Sequence, residues 1–108
     1  MMDKIFVCAV AELLPGEARR VEVDPVVAVF NQDGKFYALA DRCTHGEASI
    51  SDGYVEDDCT VECPIHAAKF CLKTGKALTQ PATVDLATFE VNIDNGNIYV
   101  LVPARVAA

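Results

Sequence analysis

The chain has 108 residues, 52% of them hydrophobic, and sixteen acidic against nine basic side chains give a formal charge of −7. That length makes one small domain, residues 1–108, with a real but modest core. The charge excludes nucleic acid and an anionic membrane as partners, since both repel it, and permits a basic protein surface.

The first apolar stretch, "IFVCAVAELL", stops at Glu12 after seven residues and follows only a single Lys beside Asp3. A leader peptide needs a longer apolar run and a more basic start, so residues 4–10 read as a first strand. No apolar run approaches the roughly 18 residues of a membrane span. Residues 18–24 alternate Val21 and Val23 with Arg20, Glu22 and Asp24, the pattern of a half-buried strand. After Pro25, "VVAVF" is apolar throughout and reads as a strand covered on both faces. Asp33-Gly34 then predicts a hairpin turn into "KFYALA", and Asn95-Gly96 predicts a second one between residues 89–94 and "NIYVLV". Helix signals are weak, with one turn at most in "ATVDLATF".

Residues 41–81 differ in kind. They are rich in Gly, Asp, Ser and Cys, with "TVEC" and "KFCL" as their best strand candidates and Thr74-Gly75 as the turn after the second. The expected fold is all-β, an antiparallel framework carrying an inserted loop subdomain over about 41–81, where function tends to reside.

Both histidines of the chain lie in that insertion, each beside a cysteine: Cys43-x-His45 and Cys63-x2-His66, with seventeen residues between the pairs. An accidental pairing would have to place the only two imidazoles beside thiols twice over. Two thiolates and two imidazoles make a four-ligand set for zinc or for an iron–sulfur cluster. Zinc favours like-with-like pairs, C-x2-4-C and H-x3-5-H. Mixed pairs suit two irons, each loop supplying one ligand to each. The other cysteines are Cys8, Cys59 and Cys71, so the total of five is odd and fits a reducing, cytoplasmic setting. Cys8 and Cys71 lie in apolar strand patterns and are expected to be packed core thiols. Cys59, after an acidic turn, has no clear role in the pattern.

The segment "CTHGEASISDGYVEDDCTVECPIHAAKFCLKTGKA" resembles the cluster region of the Rieske ferredoxins that serve bacterial aromatic-ring dioxygenases. The 3-phenylpropionate/cinnamate dioxygenase type is nearest, with the biphenyl and toluene types close behind. The flanking hairpins resemble that family's framework, so the likeness spans nearly the whole chain. It implies a Rieske-type fold and one [2Fe–2S] cluster, with Cys43 and Cys63 on the inner iron and His45 and His66 on the outer. It implies Gly46 as a ferredoxin-like feature and Pro64 as a stiffener of the second loop. High-potential relatives carry an extra cysteine in each loop, joined as a disulfide, and aim a Ser and a Tyr hydroxyl at the cluster. Here Ile65, Ala68 and Phe70 stand at the matching positions, and no second cysteine lies near Cys43. These departures imply a potential near the low end of the Rieske range, about −150 mV.

The ligand set bears on potential by simple charge counting. Two ferric irons, two sulfides and two thiolates sum to zero, so one electron makes the cluster −1 rather than the −3 of a four-thiolate centre. Neutral imidazoles therefore ease reduction.

With both histidines committed, no facial triad for oxygen chemistry can be assembled. No G-x-G-x-x-G is present, which removes nucleotide binding of the Rossmann type. The expected function is a one-electron carrier, monomeric and not an enzyme by itself. It would take electrons from a flavoprotein NAD(P)H reductase and deliver them to the oxygenase component of an aromatic-ring dioxygenase. A di-iron monooxygenase is the alternative recipient, and a zinc-stabilised binding module the alternative class. The span from Cys43 to Ala68 has no Lys or Arg but holds Glu47, Asp52, Glu56, Asp57, Asp58 and Glu62, an expected docking region. The competing surface is the apolar one around His45 and His66.

Overall fold

A computed structural model describes residues 2–23, 25–42, 48–64, 68–79 and 84–103. Nine strands are described: β1 (Met2–Ala9), β2 (Ala18–Val21), β3 (Val27–Gln32), β4 (Lys35–Ala40), β5 (Tyr54–Val55), β6 (Thr60–Glu62), β7 (Lys69–Cys71), β8 (Thr88–Asp94) and β9 (Asn97–Pro103). The first six-stranded sheet has the order β1-β9-β8-β4-β3-β2, and a second of three strands runs β5-β6-β7. All of their pairings are antiparallel. The expected all-β architecture, a framework with an inserted loop subdomain, is what the chain adopts.

Strand β3 explains how the two layers join. Val27 and Val29 point into one core with Cys8, Leu13, Val21, Ala38, Ile98, Val100 and Val102. Ala28 and Phe30, on the opposite face, enter a second core with Leu39, Ala48, Ile50, Val61, Cys63, Ala68, Phe70, Leu72 and Leu86. A strand buried on both faces has no solvent side to mark with polar residues, hence its unbroken apolar run. Strand β9 has one covered face, so Ile98, Val100 and Val102 are buried while Asn97, Tyr99 and Leu101 between them are half-exposed. The register of β1 against β9 shifts between Phe6 and Cys8. Phe6 is left outside, edge-on to Tyr99 at 5.8 Å, with the Lys4 ammonium 4.5 Å from the Tyr99 ring centre.

Both predicted hairpin turns form. Asp33 and Gly34 have φ of 53° and 87°, and Asn95 and Gly96 of 51° and 74°, the left-handed pair that a two-residue type I′ turn requires.

Several expectations need correction. The strand expected over 18–24 is confined to Ala18–Val21, and residues 4–10 become Met2–Ala9 followed by a 3-10 turn at Val10–Glu12. The helical turn considered in "ATVDLATF" is absent from residues 84–89: Val84 to Ala87 are irregular and Thr88 opens β8. The cause is tertiary, since the Leu86 N–H donates to the Gly75 carbonyl at 2.8 Å and the Leu86 side chain is buried in the second core.

Candidate metal centre

Cys63 follows the last residue of β6 and is only 1% exposed. Strands β6 and β7 pair Thr60 with Cys71, Val61 with Phe70 and Glu62 with Lys69. The Cys63 N–H then donates to the Ala68 carbonyl at 2.7 Å, closing the loop 63–68 at its base. Phe70 and Ala68, one strand period apart, are both fully buried beside Cys63. Opposite β6, Gly53 is required by close approach, because any Cβ there would collide with the Glu62 carbonyl.

The other cysteine–histidine loop is pinned at its two ends. Arg42 and Ser49 form an antiparallel bridge. The buried Asp41 makes the closure: its carboxylate accepts the Ser49 hydroxyl and the Ser51 N–H (2.8 Å), and its carbonyl accepts the Ile50 N–H at 2.6 Å. Arg20 Nε, reaching from β2, lies 3.6 Å from the same carboxylate. The Asp41 N–H meanwhile donates to Val26, tying the clasp to the framework.

The base of one loop therefore meets the base of the other: Ala48 and Ile50 share a core with Cys63 and Ala68. Of the four expected ligands, Cys63 is placed here, and Cys43, His45 and His66 lie outside the described residues. Among the described residues, no group of three or more His, Cys, Asp or Glu side chains stands ready for a metal ion. Cys63 itself suits a thiolate-ligated cluster: it is a free thiol, a soft donor, and its surroundings are apolar.

The remaining thiols divide differently from expectation. Cys8 is buried, as a core thiol should be, and burial pushes its pKa up; Arg19 opposes this and Glu12 adds to it. Cys71 is not a core thiol. Strand alternation buries Phe70 and Leu72 and leaves Cys71 between them half-exposed. The Thr74 hydroxyl, first, holds its pKa down. Burial opposes this, and the N–H groups of Thr74 and Lys73 with the Lys73 ammonium assist it. Cys59 is half-buried at a left-handed φ of 64°.

Residues 3–90 match the family model of the Rieske [2Fe–2S] domain. A relative in Escherichia coli (strain K12), the 3-phenylpropionate/cinnamic acid dioxygenase ferredoxin subunit, is 56% identical over 102 residues, covering 94% of this chain and 96% of its own. Among solved structures, a complex of reduced oxygenase and oxidized ferredoxin in carbazole 1,9a-dioxygenase contains a chain that superposes with a TM-score of 0.88. That chain is 37% identical, with 96% of this chain and 97% of that one covered. The Sphingomonas yanoikuyae B1 ferredoxin gives a TM-score of 0.85 at 35% identity, covering 94% of this chain and all of that one. The shared core at the bases of the two loops, the buried Cys63 and these likenesses agree, and the chain belongs to the Rieske [2Fe–2S] domain family.

Proposed function

We propose that this chain is a one-electron carrier, the ferredoxin component that links a flavin-dependent NAD(P)H reductase to an aromatic-ring dioxygenase. The observation that carries the reading is the 56% identity, across nearly the full length of both chains, with a dioxygenase ferredoxin subunit. The neighbouring structure of a ferredoxin with its oxygenase supports the same recipient class. The proposed ligands are Cys43 and Cys63 on one iron and His45 and His66 on the other. When bound, the cluster supplies a single reversible electron at low potential.

The chain's own residues have three tasks in that role. Cys63 offers a thiolate from a buried position, where apolar neighbours keep water from its sulfur. The Asp41 clasp and the Cys63–Ala68 hydrogen bond fix the bases of the two ligand loops. Ala68 and Phe70 line that region without a hydroxyl, which withholds hydrogen-bond stabilisation from an added electron. Among the described residues, no helix is long and apolar enough to cross a membrane. We place the protein in a reducing cytoplasm, as a monomer and as one domain over 1–108, since its described cysteines are free thiols.

The test is a single-turnover experiment. The chemically reduced protein is mixed anaerobically with an aromatic-ring dioxygenase component, and its visible bands are followed. Stoichiometric reoxidation by the dioxygenase, and none by a di-iron hydroxylase, is expected. Reoxidation only by the di-iron hydroxylase would move the protein to a monooxygenase system. Colourless protein holding zinc and no iron would overturn the carrier reading altogether.

A further inference from the structure

We propose that the outer face of the small sheet β5-β6-β7 is a docking platform for the oxygenase component, with Tyr54 and Leu78 as its apolar anchors. The inference rests on the electron-carrier reading and deepens it, naming the surface used and the chemistry that the oxygenase has to present.

The face follows from strand register. Tyr54 stands opposite Glu62, and Glu62 opposite Lys69. The Leu78 N–H donates to the Lys69 carbonyl at 2.8 Å, and the bridge between Phe70 and Ala77 sets that segment in the same antiparallel register. Paired residues of a sheet share a face, so Tyr54, Glu62, Lys69 and Leu78 form one row. The row that alternates with it, Val55, Val61, Phe70 and Ala77, packs in the second core. Three strand spacings of about 4.8 Å make the outer row roughly 14 Å wide. Its ends are apolar and open, since Tyr54 is 61% exposed and Leu78 47%. Its middle is charged, and among the described residues neither Glu62 nor Lys69 is in an ion pair.

The place of the row in the fold selects its occupant. Glu62 directly precedes Cys63 and Lys69 directly follows Ala68, so the row runs along the hydrogen-bonded base of the second ligand loop. Electron tunnelling falls steeply with distance, so an acceptor has to cover the surface beside the cluster loops. The platform is also held in place before the partner arrives. Gly53 lies against the Glu62 carbonyl with no room for a side chain, and the Lys69 N–H donates to Thr79 Oγ1 at 2.8 Å. On this fixed backbone Tyr54 has only two side-chain torsions to order, which gives much contact area at low entropic cost.

Charge completes the description of the partner. Asp52, two residues before Tyr54, is exposed and adds to Glu62 on the rim. The complementary surface is an apolar pocket for the Tyr54 ring, with basic side chains toward Asp52 and Glu62 and a carboxylate toward Lys69. Steering by the acidic stretch acts on the rate of encounter, whereas the anchors act on the lifetime of the complex.

The test uses the chemically reduced, cluster-loaded protein and the oxygenase component of the Escherichia coli 3-phenylpropionate/cinnamic acid dioxygenase. Reoxidation is followed by stopped flow as the oxygenase concentration is raised. Tyr54→Ala should raise the half-saturating concentration about ten-fold, at low and at high salt alike, with the limiting rate and the potential unchanged. Leu78→Ala should raise it about three-fold, and Tyr54→Phe should stay within about two-fold of the parent. Lys69→Gln separates the platform from steering: it makes the protein more acidic, yet should weaken binding about three-fold. An unchanged half-saturation in Tyr54→Ala, or a loss that vanishes at high salt, would overturn the anchor. A shifted potential in Tyr54→Ala would make the residue a support of the cluster and overturn it too. Impaired reduction by a flavoprotein reductase with normal delivery to the oxygenase would overturn the choice of partner, as would a dimer of the parent abolished by Tyr54→Ala. A parent protein that passes no electron to the oxygenase fails at the carrier reading itself, before any variant is compared, and removes the platform with it.

Discussion

The backbone N–H of Cys63 donates to the carbonyl of Ala68 across 2.7 Å, so the residue expected to hold iron and the residue that lacks a hydroxyl share one hydrogen bond. Ala68 is fully buried in the same core as Cys63 and Phe70. A hydroxyl introduced at position 68 would therefore be shielded from water and held close to Cys63. Hydrogen bonds to charged groups are worth about 1.5–3 kcal/mol net, of which only the part differing between redox states moves a potential. With about 1 kcal/mol as that difference, and about 59 mV for each 1.4 kcal/mol of a one-electron couple, Ala68→Ser should raise the potential by roughly 40 mV. Film voltammetry beside the parent protein checks this. An unchanged or lower potential with an intact cluster would assign the low potential to another cause.

Asp41 gives the second prediction. Its carboxylate is the acceptor for both Ser49 and Ser51, and its side chain is only 4% exposed. Asp41→Ala removes the acceptor of the Ser51 N–H and leaves the Ser49 hydroxyl only Ser51 Oγ at 2.9 Å, in a part-buried place, at a cost of about 1–3 kcal/mol. Arg20 contributes little to the balance, being half-exposed and closer to Glu22 at 2.8 Å. Asp41→Asn keeps an acceptor and should cost less. If the clasp organises the Cys43–His45 loop, iron release to a chelator should rise in the order parent, Asn, Ala. Equal release rates in all three would show that the loop is organised without it.

Much of this was legible in the chain. Asp33-Gly34 and Asn95-Gly96 announce their turns because a left-handed pair has few chemical solutions, and both are there. The apolar run of β3 announces burial on two faces. Strand β5, only Tyr54–Val55, has too few residues for a period. Cys71 was misread because "KFCL" is apolar throughout, which hides the alternation that sends Phe70 and Leu72 in and Cys71 out. The left-handed conformation of Cys59 has no signal in a residue type that seldom adopts it. Cys63 is buried at the base of its loop, and the spacing of the two pairs named it together with Cys43, His45 and His66, which lie outside the described residues, on chemical grounds alone.

Two glycines separate conformational from steric demands. Gly34, at φ 87°, has open space around it, so Gly34→Ala should cost only the left-handed penalty of about 1–2 kcal/mol. Gly75, at φ 75°, adds a collision with the Leu86 carbonyl. Gly75→Ala should therefore lose clearly more, about 3 kcal/mol or above, because backbone rather than a pliant side chain must move. Equal losses in urea unfolding would mean that the turn relaxes away from Leu86.

Cys8 predicts a pH dependence. Burial raises its pKa above the ordinary 9.0, so the folded state keeps a proton that the unfolded chain releases. Its contribution is complete below the unfolded value and is lost as pH rises through the folded one. Stability should fall above pH 9 with a slope of up to about 1.4 kcal/mol per pH unit from this group. Cys8→Ala should lower stability at neutral pH and flatten that alkaline slope. The Cys71 thiol, whose pKa is lowered, contributes with the opposite sign and is common to both proteins. Parallel stability curves from pH 7 to 10.5 would contradict the buried-thiol account.

The acidic stretch supplies the last prediction. Asp52, Asp57 and Asp58 are exposed and Glu56 and Glu62 half-exposed, with no Lys or Arg from residue 48 to 64 to neutralise them. Attraction to a basic partner would speed encounter, and ions screen it beyond about 8 Å at physiological strength. Electron transfer to the oxygenase should therefore slow as salt rises. The structure selects which charges to reverse. The Asp58 carboxylate accepts the Thr60 hydroxyl at 2.6 Å, so changing it disturbs the turn as well as the field. Asp57 engages Gln32 only through its backbone carbonyl, at 3.1 Å, and its carboxylate is free to be replaced without loss of that contact. Asp52→Lys with Asp57→Lys should lower the second-order rate constant by about 3–10-fold at low salt, leave the potential unchanged, and flatten the salt dependence. A wild-type rate in the double variant would shift docking to the apolar surface expected around His45 and His66.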